Sequence, residues 1–280
     1  MSRKKTSKKT AGPRSVALTS GKGGVGKSCI ALNLATDLAK RGERVLLLDG
    51  DLGLGNVALL LGVDGEWTFE DVLLGRSSIA ESVVEGPNGL AVLPASTEGG
   101  SDFWDQVLVE APLVEDLESF ASEFDVLVVD TGAGIADKTL DLVVAVDEVL
   151  LVITPEPAAI ADAYAMFKAL LSLDPDLVGR LVVNMADSAD EAMELYDKFS
   201  ELVARFLGAE IDNRGYIPLD RYVREAVKRQ VPFSLAAPPS PAAKALEQLA
   251  GQFGSGGVAI PSSGVGFFTR ALGHRVVSAG

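Results

Sequence analysis

The sequence predicts a doubly wound α/β fold, a mostly parallel sheet with helices on both faces. Three observations predict it. Short runs of Val, Leu and Ile alternate with longer helical stretches along the 280 residues. The runs are apolar at consecutive positions, as strands covered on both faces are. A glycine-rich loop, Ser20-Gly-Lys-Gly-Gly-Val-Gly-Lys-Ser28, sits between the first strand and the first helix.

In chain order, Ser15–Thr19 reads as a strand, then the loop, then a helix over Lys27–Lys40. Arg44–Leu48 is a second strand, ending in Asp49-Gly50-Asp51. Trp67–Leu74 and Ser78–Val84 read as short helices, Leu90–Leu93 as a strand stopped by Pro94, and Leu113–Ser122 as a helix. Val126–Val129 is a buried strand followed by Asp130, and Glu148–Ile153 another, ended by Thr154-Pro155. Helices follow at Ala158–Leu173 and Ala189–Leu207, with a strand at Arg180–Asn184 between them. Glu210–Tyr216 is an edge-strand candidate, and Asp220–Arg229 and Pro241–Phe253 complete the helices. Strands separated by helices imply right-handed crossovers and one domain over residues 15–253.

Composition bounds the function. The formal net charge is −14, and residues 1–14 hold six basic side chains and no acid, so removing those six leaves −20 on the rest. A body so acidic is not expected to bind nucleic acid strongly. The basic stretch 1–14 reads as a disordered tail, either simply solvated or in contact with anionic lipid or an acidic partner. Cys29 is the single cysteine, which excludes an intrachain disulfide or CxxC metal site and fits a reducing compartment. The N-terminus shows no secretory h-region, and no apolar run approaches the roughly 20 residues of a membrane span.

The loop Gly21–Ser28 satisfies GxxxxGK[ST] in its required context, strand before and helix after. Gly21, Gly23, Gly24, Val25 and Gly26 let backbone N–H groups curl around phosphate oxygens. The following helix adds the positive end of its dipole. Lys27 is placed to reach the β- and γ-phosphates, and Ser28 to ligate Mg²⁺. A phosphate-bound metal needs carboxylates, and Asp49, Asp51 and Asp130 stand at strand ends on one sheet edge, where such folds bind ligands. An aspartate at each of these positions also serves as a helix cap or turn residue.

These residues carry a family resemblance. GKGGVGKS, with a lysine at its second position, resembles the deviant Walker A motif of the MinD/ParA class of P-loop ATPases. DGDLGLGN (Asp49–Asn56) resembles that class's switch I, and VVDTGAGI (Val128–Ile135) its Walker B and switch II. VVNMA (Val182–Ala186) and GYIPLDRYVREAVKRQVPF (Gly215–Phe233) resemble its adenine-side elements. Two stretches, DLGLGN and TPEPAAIADAYAMFKAL (Thr154–Leu170), are most similar to the flagellar-number regulators FlhG/FleN. An Asp-Gln-Ala-type activating segment carried by many of those proteins has no match in MSRKKTSKKTAGPRS.

The resemblance implies a Mg²⁺-dependent ATPase that is slow without a partner and forms a homodimer when ATP is bound. It assigns Lys22 to the partner's nucleotide across that dimer, Asp51 to the attacking water, and Ser28, Asp49 and Asp130 to the metal. Lys27, Ser28 and Cys29 line the nucleotide, Asn184 bonds the adenine edge, and Pro218 and Asp220 pack beside the base. An FlhF-type GTPase or flagellar basal-body components are the implied partners, at the cytoplasmic face of the inner membrane. Competing readings are a DNA-partitioning ATPase, a P-loop tyrosine kinase, and a scaffold that holds nucleotide without hydrolysis. No tyrosine follows Tyr222, against the kinase.

After a Gly/Ser/Pro linker at 254–264, Val265, Phe268, Leu272 and Val276 recur at i, i+3, i+7 and i+11. At 100° per residue they share one face, which predicts an amphipathic helix over 265–277. Such a helix either lies on a lipid surface, as the resemblance implies, or docks on its own domain.

Overall fold

The computed structural model describes residues 12–97, 103–253 and 265–277. Its strands are β1 (Arg14–Ser20), β2 (Val45–Gly50), β3 (Val84–Glu85), β4 (Ala91–Leu93), β5 (Val109–Glu110), β6 (Val126–Ala133), β7 (Glu148–Ile153), β8 (Gly179–Ala186), β9 (Asp212–Pro218) and β10 (Val276–Val277). Eight form one sheet in the order β3-β4-β2-β6-β1-β7-β8-β9. Only β3 runs antiparallel to its neighbour. The expected doubly wound sheet is observed, and the expected edge strand is β9, at the margin and shifted two residues along the chain.

Alternation along the central strands divides the core into two layers. Val45, Leu47, Val126 and Val128 face one layer with the helices Lys27–Lys40 and Pro241–Phe253. Leu46, Leu48, Leu127 and Val129 face the other, beneath helices Ala111–Ala121, Asp137–Val144, Pro157–Leu173 and Ala189–Leu207. Helix Lys27–Lys40 forms because Ile30, Leu34 and Leu38 recur every fourth residue on its buried side. It stops at Gly42, whose φ of 91° suits a left-handed position.

Several elements lie beyond the sequence expectation. Helices Val57–Leu61, Phe103–Gln106, Asp137–Val144 and Phe233–Ala236 are too short to show a periodic pattern, as are β3, β5 and β10. Arg14, placed by sequence in a basic tail, instead starts β1 and pairs with the buried Glu148 at 2.6 Å. Glu148 also takes Arg180 at 2.5 Å, which reaches Asp212 at 2.7 Å, so one buried acid ties β1, β7, β8 and β9. The remainder of the tail, 1–11, and the linker 254–264 lie outside the described residues.

The C-terminal segment departs from the expected single helix over 265–277. It forms a helix at Phe267–Leu272, a 3₁₀ turn at Gly273–Arg275, and β10, which pairs in parallel with β5. The cause is packing. Phe267, Phe268, Ala271 and Leu272 are buried in the domain's own core, with Phe268 6.0 Å from Phe69 between ring centres. Val265 and Val276, expected on the same apolar face, are exposed. Polar clasps add to this: Arg270 lies 3.2 Å from Asp147, and Arg275 lies 3.2 Å from Asp141 while stacking over Trp104. No described helix is long and apolar enough to cross a membrane.

Truncating Phe268 to Ala is expected to destabilise the protein by about 3 kcal/mol, the cost of a buried aromatic lost from a packed site. Urea denaturation of the full chain checks this. A midpoint unchanged from the parent would mean that the segment is undocked in solution.

Candidate functional site: a phosphate loop over two buried carboxylates

The central strand β1 delivers the loop Gly21–Ser28 to the carboxyl edge of the sheet, between β6 and β7. Gly21 rests so tightly on helix Pro157–Leu173 that a Cβ there would lie 2.0 Å from the backbone of Asp162. Gly26, φ 87°, caps the helix that begins at Lys27. The turn between them is fixed by Ser20, whose hydroxyl donates to the Lys22 carbonyl at 2.8 Å, and by the buried Val25. The arrangement leaves amides and a helix N-terminus open to an anion.

Asp49 and Asp130 are register partners on the adjacent strands β2 and β6, and both are fully buried. Lys27, itself 8% exposed, lies 3.7 Å from Asp130 Oδ1. That is an ion pair beyond hydrogen-bond reach, and both Asp130 oxygens lack a hydrogen-bond partner. Burial raises the Asp130 pKa, against the pull of Lys27. Burial and then the Asp130 charge push Asp49 up to about 7, although its oxygens accept N–H groups of Asp51, Asn56 and Val57.

Asp51 is half-buried at the mouth of the site. Burial raises its pKa while Lys27 and Lys138 oppose the shift. Lys138 donates to the Leu52 carbonyl at 2.7 Å, and Glu70 accepts from the amides of Gly53 and Ser96. These bonds pin the loop after β2. Lys22 reaches away from the loop and pairs with Glu156. Lys138, Glu70 and Glu156 were not legible as site residues, because each works through a contact between segments distant in sequence.

On the other flank, Gly26, Cys29, Asn184, Pro218, Asp220 and Phe233 line one pocket. The structure brings the predicted base-side residues together but commits two of them. Asn184 donates to the Val25 carbonyl at 2.7 Å, bracing the phosphate loop. Asp220 accepts from the Tyr222 and Ala242 amides, as a helix cap does. Burial and the Asp130 charge push the Cys29 thiol up to about 12, so it remains neutral.

The residues fit a hard, oxygen-liganded cation such as Mg²⁺. Two orphaned oxygens of Asp130 sit in a site that also presents Ser28, and no described cluster of three or more His, Cys, Asp or Glu makes a self-sufficient cage. A cation that completes its shell with phosphate and water suits such a partial set.

The family model described as ParA: NUBPL iron-transfer P-loop NTPase matches residues 13–253. The chain belongs to the ParA/MinD family of P-loop NTPases. Among its relatives, the antiactivator FleN of Pseudomonas aeruginosa is 41% identical over 84% of this chain and 84% of its own length. The flagellum site-determining protein YlxH of Helicobacter pylori is 34% identical over 92% of this chain and 89% of its own. In three dimensions the cell division ATPase MinD of Pyrococcus furiosus superimposes with a TM-score of 0.71 at 27% identity, covering 86% of this chain and 98% of that one. In this ParA/MinD protein the phosphate loop's Lys27 stands beside Asp130, and Asp49 holds the loop after β2.

A carboxyl raised to about 7 in the fold, against about 3.9 when unfolded, has a signed consequence. Between these values the unfolded chain loses a proton that the fold keeps. Stability of the nucleotide-free protein therefore falls as pH rises from about 5 to 7, by up to about 1.4 kcal/mol per pH unit. Denaturation at several pH values measures the slope, and Asp49→Asn is expected to flatten it. A slope identical in Asp49→Asn and parent would remove Asp49 from the explanation.

Proposed function

We propose that this chain is an ATP-dependent dimerising switch ATPase that regulates flagellar number or placement at the inner membrane surface. The observation that carries the reading is the second loop lysine, Lys22, which pairs with Glu156 while Lys27 stands beside Asp130. Similarity to FleN and YlxH over most of each chain supports the flagellar assignment. The family description's iron transfer is not carried over, since the sequence has one cysteine.

In this reading Lys27 and the loop amides hold the triphosphate, with charge on its oxygens drawn toward the helix end. Ser28 and Asp130 take Mg²⁺, and Asp49 contributes through the loop it orders or through a water. The metal supplies charge neutralisation between the phosphates and the buried carboxylates. Asp51, at the site's mouth, orients the attacking water. The pocket at Pro218 and Phe233 receives the base, with Asn184 reaching it once it leaves Val25. Cys29 lies beneath the phosphates as a neutral filler.

Lys22 leaves Glu156 to reach the nucleotide of a second copy, which makes turnover depend on dimerisation. Leu54 and Ile135, 68% and 56% exposed on loops at the same sheet edge, support an interface between copies there. Lipid contact requires the docked residues 267–272 to leave the core. Two copies then present two weak anchors, and ATP controls residence at the membrane through avidity.

Lys22→Ala is expected to abolish ATP-induced dimerisation and lower turnover at least tenfold while nucleotide still binds. Light scattering and phosphate release check it, and parental values in both would reject the trans role. In liposome sedimentation, binding is expected with ATP, reduced with ADP, and absent after deletion of 265–277. Binding insensitive to nucleotide and to the deletion would reject the membrane switch.

A further inference from the structure

Strand β8 loses its register with β9 just before it ends. Asn184 lies opposite Ile217 and Ala186 opposite Pro218, so two steps along β8 match one along β9, and Met185 is the extra residue of a bulge. Its φ is 60°, and it is one of three non-glycine residues with a positive φ among those described. Glycine would adopt that conformation without strain, whereas methionine pays for it. The bulge also changes where the side chain points. Successive residues of a regular strand face opposite sides of the sheet. Here Asn184 and Met185 reach the same spot: a Cβ on Gly26 would lie 2.4 Å from Asn184 Nδ2 and 3.4 Å from Met185 Cε. Both line the pocket that also holds Cys29, Pro218 and Phe233. Their exposure differs. Asn184, Ile217 and Phe233 are buried, whereas Met185 is 39% exposed. The pocket therefore has a buried floor, and Met185 stands at its rim beside the phosphate loop.

We infer that Met185 covers the open face of the nucleotide base and supplies much of the base-dependent affinity of the site. The inference rests on the reading of this pocket as the base site. A planar base there would set one face against the buried floor and turn the other toward the rim. A thioether suits that second face. It is polarizable, it is carried on an unbranched chain that adapts its shape, and sulfur makes favourable contact with aromatic rings. The bare Cα of Gly26 leaves the methionine room to swing over an incoming base. The contact is with the base alone, so it adds to the affinity for a nucleotide and not to the affinity for its phosphates.

The test uses the full chain in Mg²⁺ with Met185→Ala, Met185→Leu and Met185→Gly. Calorimetric titration reads the affinities for ATP and for inorganic tripolyphosphate, which offers the phosphates without the base. Met185→Ala is expected to weaken ATP binding about fivefold and to leave tripolyphosphate binding within about twofold of the parent. Met185→Leu, which keeps the apolar cover, is expected to hold ATP more tightly than Met185→Ala. Met185→Gly removes the side chain and the strain together, so it is expected to lose ATP affinity as Met185→Ala does while melting no lower than it. ATP binding by Met185→Ala within about twofold of the parent, or an equal loss of tripolyphosphate binding, overturns the inference. Should Met185→Ala fail to fold, Met185→Gly compared with Met185→Leu reads the same difference. A parent protein that binds tripolyphosphate as tightly as ATP overturns the base-site reading itself, whatever the variants do.

Discussion

Two carboxylates buried side by side are the constraint on which this molecule turns. Asp49 and Asp130 face each other across β2 and β6 with no solvent access, and one ammonium, Lys27, stands 3.7 Å away. One cation stands against two buried acids, and burial raises both pKa values, that of Asp49 to about 7, which favours a proton on Asp49 below neutral pH. A divalent cation delivered with a phosphate ligand would replace that proton. The loop geometry, the strand order and the surrounding amides all serve to hold this arrangement in place. Asp49 is the hinge of it, because the three amides it accepts belong to the loop after its own strand and to the start of the helix Val57–Leu61.

The helix Asp137–Val144 extends the consequences outward. At one end Lys138 ties it to the loop that carries Asp51. Near the other, Asp141 accepts from the Trp104 indole at 2.9 Å and pairs with Arg275 of the C-terminal segment. A two-turn element therefore touches both the chemistry and the docked C-terminus. Elements this short hold their position by packing and by such polar clasps rather than by helix propensity.

Much of this was legible in the sequence. The strand-loop-helix at Ser15–Lys40 could be read from the glycine loop set between a short apolar run and a longer helical stretch. Asp49 and Asp130 could be placed on one edge because both end apolar strands. What could not be read depends on long-range contact. Arg14 belongs to β1 because Glu148, far along the chain, needs a partner. The spacing of Val265, Phe268, Leu272 and Val276 described an apolar face correctly at two positions. It could not say that the adjacent Phe267 would be buried too, nor that the domain offered Phe69 to receive the ring. Asp220 and Asn184 were marked by motif, yet their hydrogen bonds to amides and to Val25 O emerge only in three dimensions.

The claim that a metal-bound phosphate lowers the raised pKa of Asp49 is open to a direct measurement. Calorimetric titration of Mg²⁺-ATP into the protein near pH 7, in two buffers of different ionisation heat, counts the protons exchanged on binding. After correction for the nucleotide's own protonation, the account predicts net proton release, absent in Asp49→Asn. Buffer-independent heats in the parent protein would contradict it.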